Sequence, residues 1–159
     1  MLLWLRLLIF AVIVPGFSLG LVPRWILRSG WGGRFDVGLW QALGWIPLCA
    51  GVLLMLWCWY DFVVRGAGTP APYDPPRNLV VSGPYTVVRN PMYVAGTTFL
   101  LGLALLTGSP GLAAYALLFW LLTATFVLVY EQPALAERFG ESYARYRERV
   151  PAWIPRRPR

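Results

Sequence analysis

The sequence predicts an all-α integral membrane protein of about four transmembrane helices, and three observations lead there. Of 159 residues, 58% are hydrophobic and only 13% charged, where a soluble domain carries about 25% charged residues. Apolar runs recur along the chain at membrane-spanning length, a bilayer core needing about 20 such residues per helix. Charge collects between those runs and after Glu131. The length suits one membrane domain, 1–159, with two N-terminal transmembrane helices in 1–63 and a core of loop, helical hairpin and C-terminal helix in 64–159.

The first span is expected at Leu2 to Val22, with Arg6 able to snorkel to the near interface and a kink at Pro15-Gly16. It lacks the leading positive cluster and small-x-small site of a cleaved signal peptide, so it reads as a transmembrane helix. A polar stretch, Pro23 to Asp36, follows. The second span, Val37 to about Tyr60, is uncharged and carries Trp40, Trp45, Trp57 and Trp59, matching interfacial aromatic belts, with Asp61 marking its exit.

Val64 to Arg89 is too rich in Gly and Pro to be a long helix. Irregular backbone offers free N–H and C=O groups, so a ligand site belongs here. Asn90 to Tyr130 carries no charge and has room for two spans, with Gly108-Ser109-Pro110-Gly111 as the turn of a tight hairpin. Asn90 and Pro91 fit the N-cap and first residue of the third span. Leu135, Phe139, Tyr143, Tyr146 and Val150 then form an apolar stripe at helical period, predicting an amphipathic interfacial helix that contacts the membrane or lids the loop. Glu141 and Arg145 are placed to pair at i, i+4.

Arginine supplies all the positive charge, fourteen residues against seven acids. With the uncharged hairpin turn outside, Arg65, Arg77, Arg89, Arg138, Arg145, Arg147, Arg149, Arg156, Arg157 and Arg159 share one side, while Arg24, Arg28 and Arg34 share the other. The positive-inside rule then places both termini and the long loop in the cytoplasm, in what reads as a bacterial inner (plasma) membrane. Basic residues flanking apolar runs suit lipid headgroups, not nucleic acid. The absence of His removes the commonest metal ligand and general base, so no metal is expected. Cys49 and Cys58 share one helical run roughly 13 Å apart, too far for a disulfide, and read as two buried thiols.

Two stretches on the cytoplasmic side carry the chemistry. One runs Leu79-Val80-Val81-Ser82-Gly83-Pro84-Tyr85 and on to Arg89-Asn90-Pro91-Met92-Tyr93. The other is Glu131-Gln132-Pro133-Ala134-Leu135, continuing through Phe139-Gly140 to Tyr143 and Tyr146. In that order and spacing, across residues 65 to 155, they resemble the isoprenylcysteine carboxyl methyltransferase family, its bacterial relatives and the kindred phospholipid N-methyltransferases.

The resemblance implies methyl transfer from S-adenosyl-L-methionine to a lipid-like or small apolar acceptor. It implies a cofactor site lined by Arg77, Asn78, Leu79, Val80, Tyr85, Asn90, Pro91, Met92, Tyr93 and Glu131, within a methyltransferase core over 64–159. Three positions depart from the family pattern: Asn90 stands for the usual His, Gln132 for the second Glu of a pair, and Val127 for an Arg that eukaryotic relatives place near the substrate carboxylate. The last argues against a prenylcysteine substrate.

Physical chemistry gives the same positions suitable work. A carboxylate such as Glu131 suits the sulfonium and ammonium of the cofactor, the pairing offsetting its burial. Tyr85 and Tyr93 can stack on adenine or face the sulfonium. Helix N-terminal amides near Asn90 suit a carboxylate. In-line displacement at a methyl carbon needs no general base for a carboxylate or thiolate acceptor, so positioning and desolvation carry catalysis and no proton-transfer residue is assigned. The competing readings are a membrane-embedded nicotinamide-dependent reductase of the sterol-reductase type and a catalytically inactive membrane scaffold.

Overall fold

The computed structural model describes residues 2–36, 38–66 and 77–155, so the middle of the long loop and the last arginines lie outside the described residues. Every regular element among them is helical. Three helical stretches are long and apolar enough to cross a membrane, Leu3–Ser29, Gly38–Val64 and Pro110–Arg149, and a shorter apolar helix, Pro91–Thr107, stands between them. The chain is therefore an all-α integral membrane protein.

The first stretch comprises α1 (Leu2–Pro15), a π turn at Gly16–Leu21 and α2 (Val22–Ser29). The helix passes Pro15, where a kink is expected, and continues beyond Val22 into the stretch expected to be polar loop. A wider turn between Pro15 and Pro23 accommodates backbone that two prolines cannot bond. Packing holds the continuation: Ile26 is buried with Ala104 and Leu112, leaving Arg24 and Arg28 on the outer face. The helix ends at Gly30 in a left-handed conformation.

After a 3₁₀ turn at Gly38–Gly44, α3 runs Trp45–Val64. It lies against α4 (Pro91–Thr107) with backbones nearly touching. A Cβ on Gly51 would meet the Ala95 carbonyl oxygen and Phe99 nitrogen at 2.7 Å, and one on Gly102 would strike the backbone of Leu48. Small residues at such crossings give lipid-embedded helices the van der Waals contact that the hydrophobic effect cannot supply there. Cys58 is buried but Cys49 is exposed, because it sits on the outward face of α3.

The expected hairpin forms at Gly108-Ser109, where the Ser109 hydroxyl caps α5 (Pro110–Phe126) by accepting from the Leu112 N–H at 3.3 Å. Beyond α5 the chain does not break at Glu131. A π turn at Val127–Glu131 leads directly into α6 (Gln132–Arg149), which bends at Gly140 (φ 50°, ψ −126°). The predicted apolar stripe is the less exposed face of α6, and its far half turns inward onto the loop. Glu141 and Arg145 pair as expected, at 3.7 Å.

Candidate functional site

The loop before α4 is held from two directions. Val80 and Tyr85 are buried against Cys58 of α3, with Leu54, Phe62 and Met92 packed around them. The Tyr85 ring meets Phe62 edge-on, centroids 5.5 Å apart. Burial pushes the Tyr85 hydroxyl well above its usual pKa, so it remains a neutral donor close to Cys58. From the other side, the Tyr146 hydroxyl of α6 donates to the Tyr85 carbonyl at 2.7 Å.

The Arg89-Asn90 pair receives the segment that leaves α6. The backbone N–H groups of Arg89 and Asn90 donate to the carbonyls of Pro151 (2.8 Å) and Ala152 (3.2 Å). The Arg89 guanidinium donates to the Val150 carbonyl (3.0 Å) and the Tyr143 hydroxyl (3.3 Å). Asn90 occupies the N-cap position of α4, but its side chain caps nothing. Its amide donates to the Ala152 carbonyl at 3.1 Å. The same segment carries Trp153 to 6.4 Å from the ring of Tyr93 and 6.2 Å from Trp120.

In the first turn of α4, the Tyr93 hydroxyl donates to Glu131 Oε2 at 2.7 Å, joining two motifs 38 residues apart. The π turn at Val127–Glu131 puts Glu131 at the junction of α5 and α6. A carboxylate accepts about four hydrogen bonds, so a single donor leaves most of its capacity for a ligand.

The ten predicted residues thus divide. Tyr93 and Glu131 meet directly, and Val80, Tyr85 and Met92 share one cluster beside α3. Asn90 and Pro91 are buried at the α4 start. Leu79 lines an open groove of about 500 Å³ together with Val81, Thr86, Ser142, Arg145, Tyr146, Arg149 and Val150, a lining that includes neither Tyr93 nor Glu131. Arg77 and Asn78 are exposed, their backbone N–H groups donating to the Gly66 carbonyl at 2.9 and 3.3 Å.

Sequence reasoning missed Asp61, which does not exit the membrane helix but is wholly buried inside α3. It also missed Trp153. For Asp61 the sequence offers only its i, i+4 spacing to Arg65, with which it pairs at 3.6 Å. For Trp153, nothing local announces a contact with Tyr93. No group of three or more potential metal ligands occurs among the described residues.

The chain is similar to the cobalt-zinc-cadmium resistance protein CzcN of Cupriavidus metallidurans, 33% identical over 129 residues that cover 81% of this chain and 55% of that one. It is similar to the nickel-cobalt-cadmium resistance protein NccN of Alcaligenes xylosoxydans xylosoxydans, 37% identical over 151 residues, 95% of this chain and 65% of that one. It therefore spans less than two thirds of the length of either relative. Over 78 residues, 48% of this chain and 33% of the other, it is 35% identical to the protein-S-isoprenylcysteine O-methyltransferase of Schizosaccharomyces pombe. No solved structure matches. The phospholipid methyltransferase profile matches residues 39–142, from the turn before α3 through the hairpin and into α6. On that match, which takes in Tyr93, Glu131 and the cluster around Tyr85, the chain belongs to the phospholipid methyltransferase family.

Proposed function

We propose that the chain transfers a methyl group from S-adenosyl-L-methionine to a lipid-like or small apolar acceptor (a carboxylate, amine or thiol) at the cytoplasmic face of the membrane in which it is embedded. The observation that carries this reading is the Tyr93–Glu131 hydrogen bond, which unites the two motifs at a largely buried carboxylate with acceptor capacity to spare.

The residues present fit the cofactor. It carries two positive centres, and Glu131 offers a carboxylate where water is scarce, so attraction is little screened. Tyr93 and Trp153 add aromatic faces beside that carboxylate, suited to a cation or a purine. Leu79, Val80, Tyr85 and Met92 supply apolar contact, and Asn90 and Pro91 set the start of α4. When bound, the cofactor supplies an electrophilic methyl on a sulfonium. The chain itself orients and excludes water: Tyr93 fixes Glu131, Tyr146 fixes the backbone of Tyr85, and the Val150–Trp153 segment closes over Asn90. Positioning of this kind is the main requirement of an in-line displacement.

Calorimetric titration of the purified protein with S-adenosylhomocysteine tests the reading. Saturable one-to-one binding that Glu131→Ala abolishes, in a variant that stays folded, supports it. No binding at millimolar ligand by folded wild type rejects it, and binding that survives Glu131→Ala moves the site elsewhere.

A further inference from the structure

Three arginines crowd the end of the molecule that carries the hairpin turn. Arg24 and Arg28 lie one turn apart on α2, and Arg34 follows in the loop beyond it. The Phe35 N–H donates to the Gly108 carbonyl at 2.8 Å, tying that loop to the turn between α4 and α5. Asp36 is the sole acid in residues 1–60, and residues 90–130 carry none. Its Oδ1 is engaged locally, accepting from the Gly38 N–H at 2.8 Å. This end therefore holds positive charge that the chain itself does not neutralise.

The local geometry gives Arg24 and Arg28 no structural task. The Ile26 carbonyl already accepts from the Ser29 hydroxyl at 3.0 Å, and the Leu27 carbonyl from the Arg34 guanidinium at 3.0 Å. Arg28 is thus not needed to cap α2. Among the described residues neither Arg24 nor Arg28 has a hydrogen-bond or ion-pair partner, and both are exposed.

Depth decides what they meet. The apolar run from Leu2 to Val22 has the length to fill a hydrocarbon core of about 30 Å. At about 1.5 Å per residue, Arg24 and Arg28 fall roughly 3 and 9 Å beyond it, among the lipid headgroups. Trp25 and Trp31, 68% and 57% exposed, stand at the same end, as indoles do at a membrane interface.

We propose that Arg24 and Arg28 form a seat for the phosphate of an anionic phospholipid. Two guanidiniums on one helix face, their Cβ atoms about 6 Å apart, can share the oxygens of one phosphodiester, each through its planar fork. Arg34, bonded at the end of the same helix, adds a third positive charge. A zwitterionic headgroup would bring its own ammonium among these cations, so the charge favours a lipid without one. The length of α4, about 25 Å, separates this seat from Tyr93 and Glu131, so the proposal does not rest on the methyl-transfer reading.

The test uses the full chain, stripped of lipid in neutral detergent and titrated calorimetrically with dioctanoyl phosphatidylglycerol or dioctanoyl phosphatidylcholine. Wild type should bind the anionic lipid at least about tenfold tighter, the gain expected from charge-assisted hydrogen bonds. Arg24→Gln with Arg28→Gln should lose that preference and unfold at the wild-type temperature, since neither side chain holds another part of the chain. Arg145→Gln with Arg149→Gln, an equal loss of charge on α6, should keep it. Arg24→Lys with Arg28→Lys should lose most of it, because an ammonium keeps the charge without the fork. Equal binding of the two lipids by wild type overturns the proposal, as does a preference that survives the Gln pair. A preference lost equally with the α6 pair, or kept in full by the Lys pair, means diffuse attraction and also overturns it. Should the Gln pair fail to fold, the Lys pair decides alone. Inorganic phosphate that displaces the anionic lipid at equal concentration would overturn the assignment to a lipid.

Discussion

The hydroxyl of Tyr93 donates to Glu131 at 2.7 Å, across the two arms of the hairpin formed by α4 and α5. The contact fixes the carboxylate at the helix junction and leaves its remaining lone pairs available. Tyr93→Phe keeps the ring beside Trp153 and removes the donor. A buried acceptor left unsatisfied costs about 1–3 kcal/mol, so S-adenosylhomocysteine affinity should fall roughly tenfold or more. Calorimetry on the folded variant measures this, and unchanged affinity would detach Tyr93 from the site.

Arg89 holds the segment after α6 through the Val150 carbonyl and the Tyr143 hydroxyl. Arg89→Ala removes both bonds, at about 1.5–3 kcal/mol for each hydrogen bond to a charged donor. Hydrogen exchange should then quicken at the amides of Arg89 and Asn90, which donate to Pro151 and Ala152, while the α3–α4 interface keeps its protection.

Tyr146→Phe leaves the Tyr85 carbonyl without its side-chain donor. The expected loss is about 1 kcal/mol, read as a small drop in unfolding temperature. Faster exchange should be confined to the segment around Gly83 and Val88. Uniform loosening of the whole chain would contradict the local role.

Gly51→Val places a branched side chain where α3 touches the backbone of α4 at Ala95 and Phe99. Overpacking of this kind costs about 1–3 kcal/mol. The variant should unfold at lower temperature in detergent, and a value at or above wild type would mean that the helices can separate without penalty.

The membrane spans and the hairpin are legible in the sequence because hydropathy and turn residues are local signals. An uncharged run interrupted by Gly108-Ser109-Pro110 leaves little choice but two antiparallel helices. The helix running past Pro15 is not legible in this way. Its continuation depends on Ile26 packing against Leu112, a contact across more than eighty residues that no window detects. Asn90 shows the same limit from another side. Its position before Pro91 correctly marks the helix start, yet where its amide points is decided by Ala152, which reaches it from beyond α6. The stripe on α6 is visible as periodicity, but only the folded chain distinguishes a face turned to lipid from one turned to Tyr85.

The strap formed by Val150, Pro151 and Ala152 has a consequence for biogenesis. Its partners, Arg89 and Asn90, are synthesised some 61 and 62 residues earlier. Both arms of the hairpin must therefore enter the bilayer and the chain must double back before those backbone groups find one another. Until then the start of α4 waits with its polar groups turned to water or to a chaperone. A chain ending at Tyr143 would keep all four apolar helices and leave the backbone N–H groups of Arg89 and Asn90 without the carbonyls that receive them.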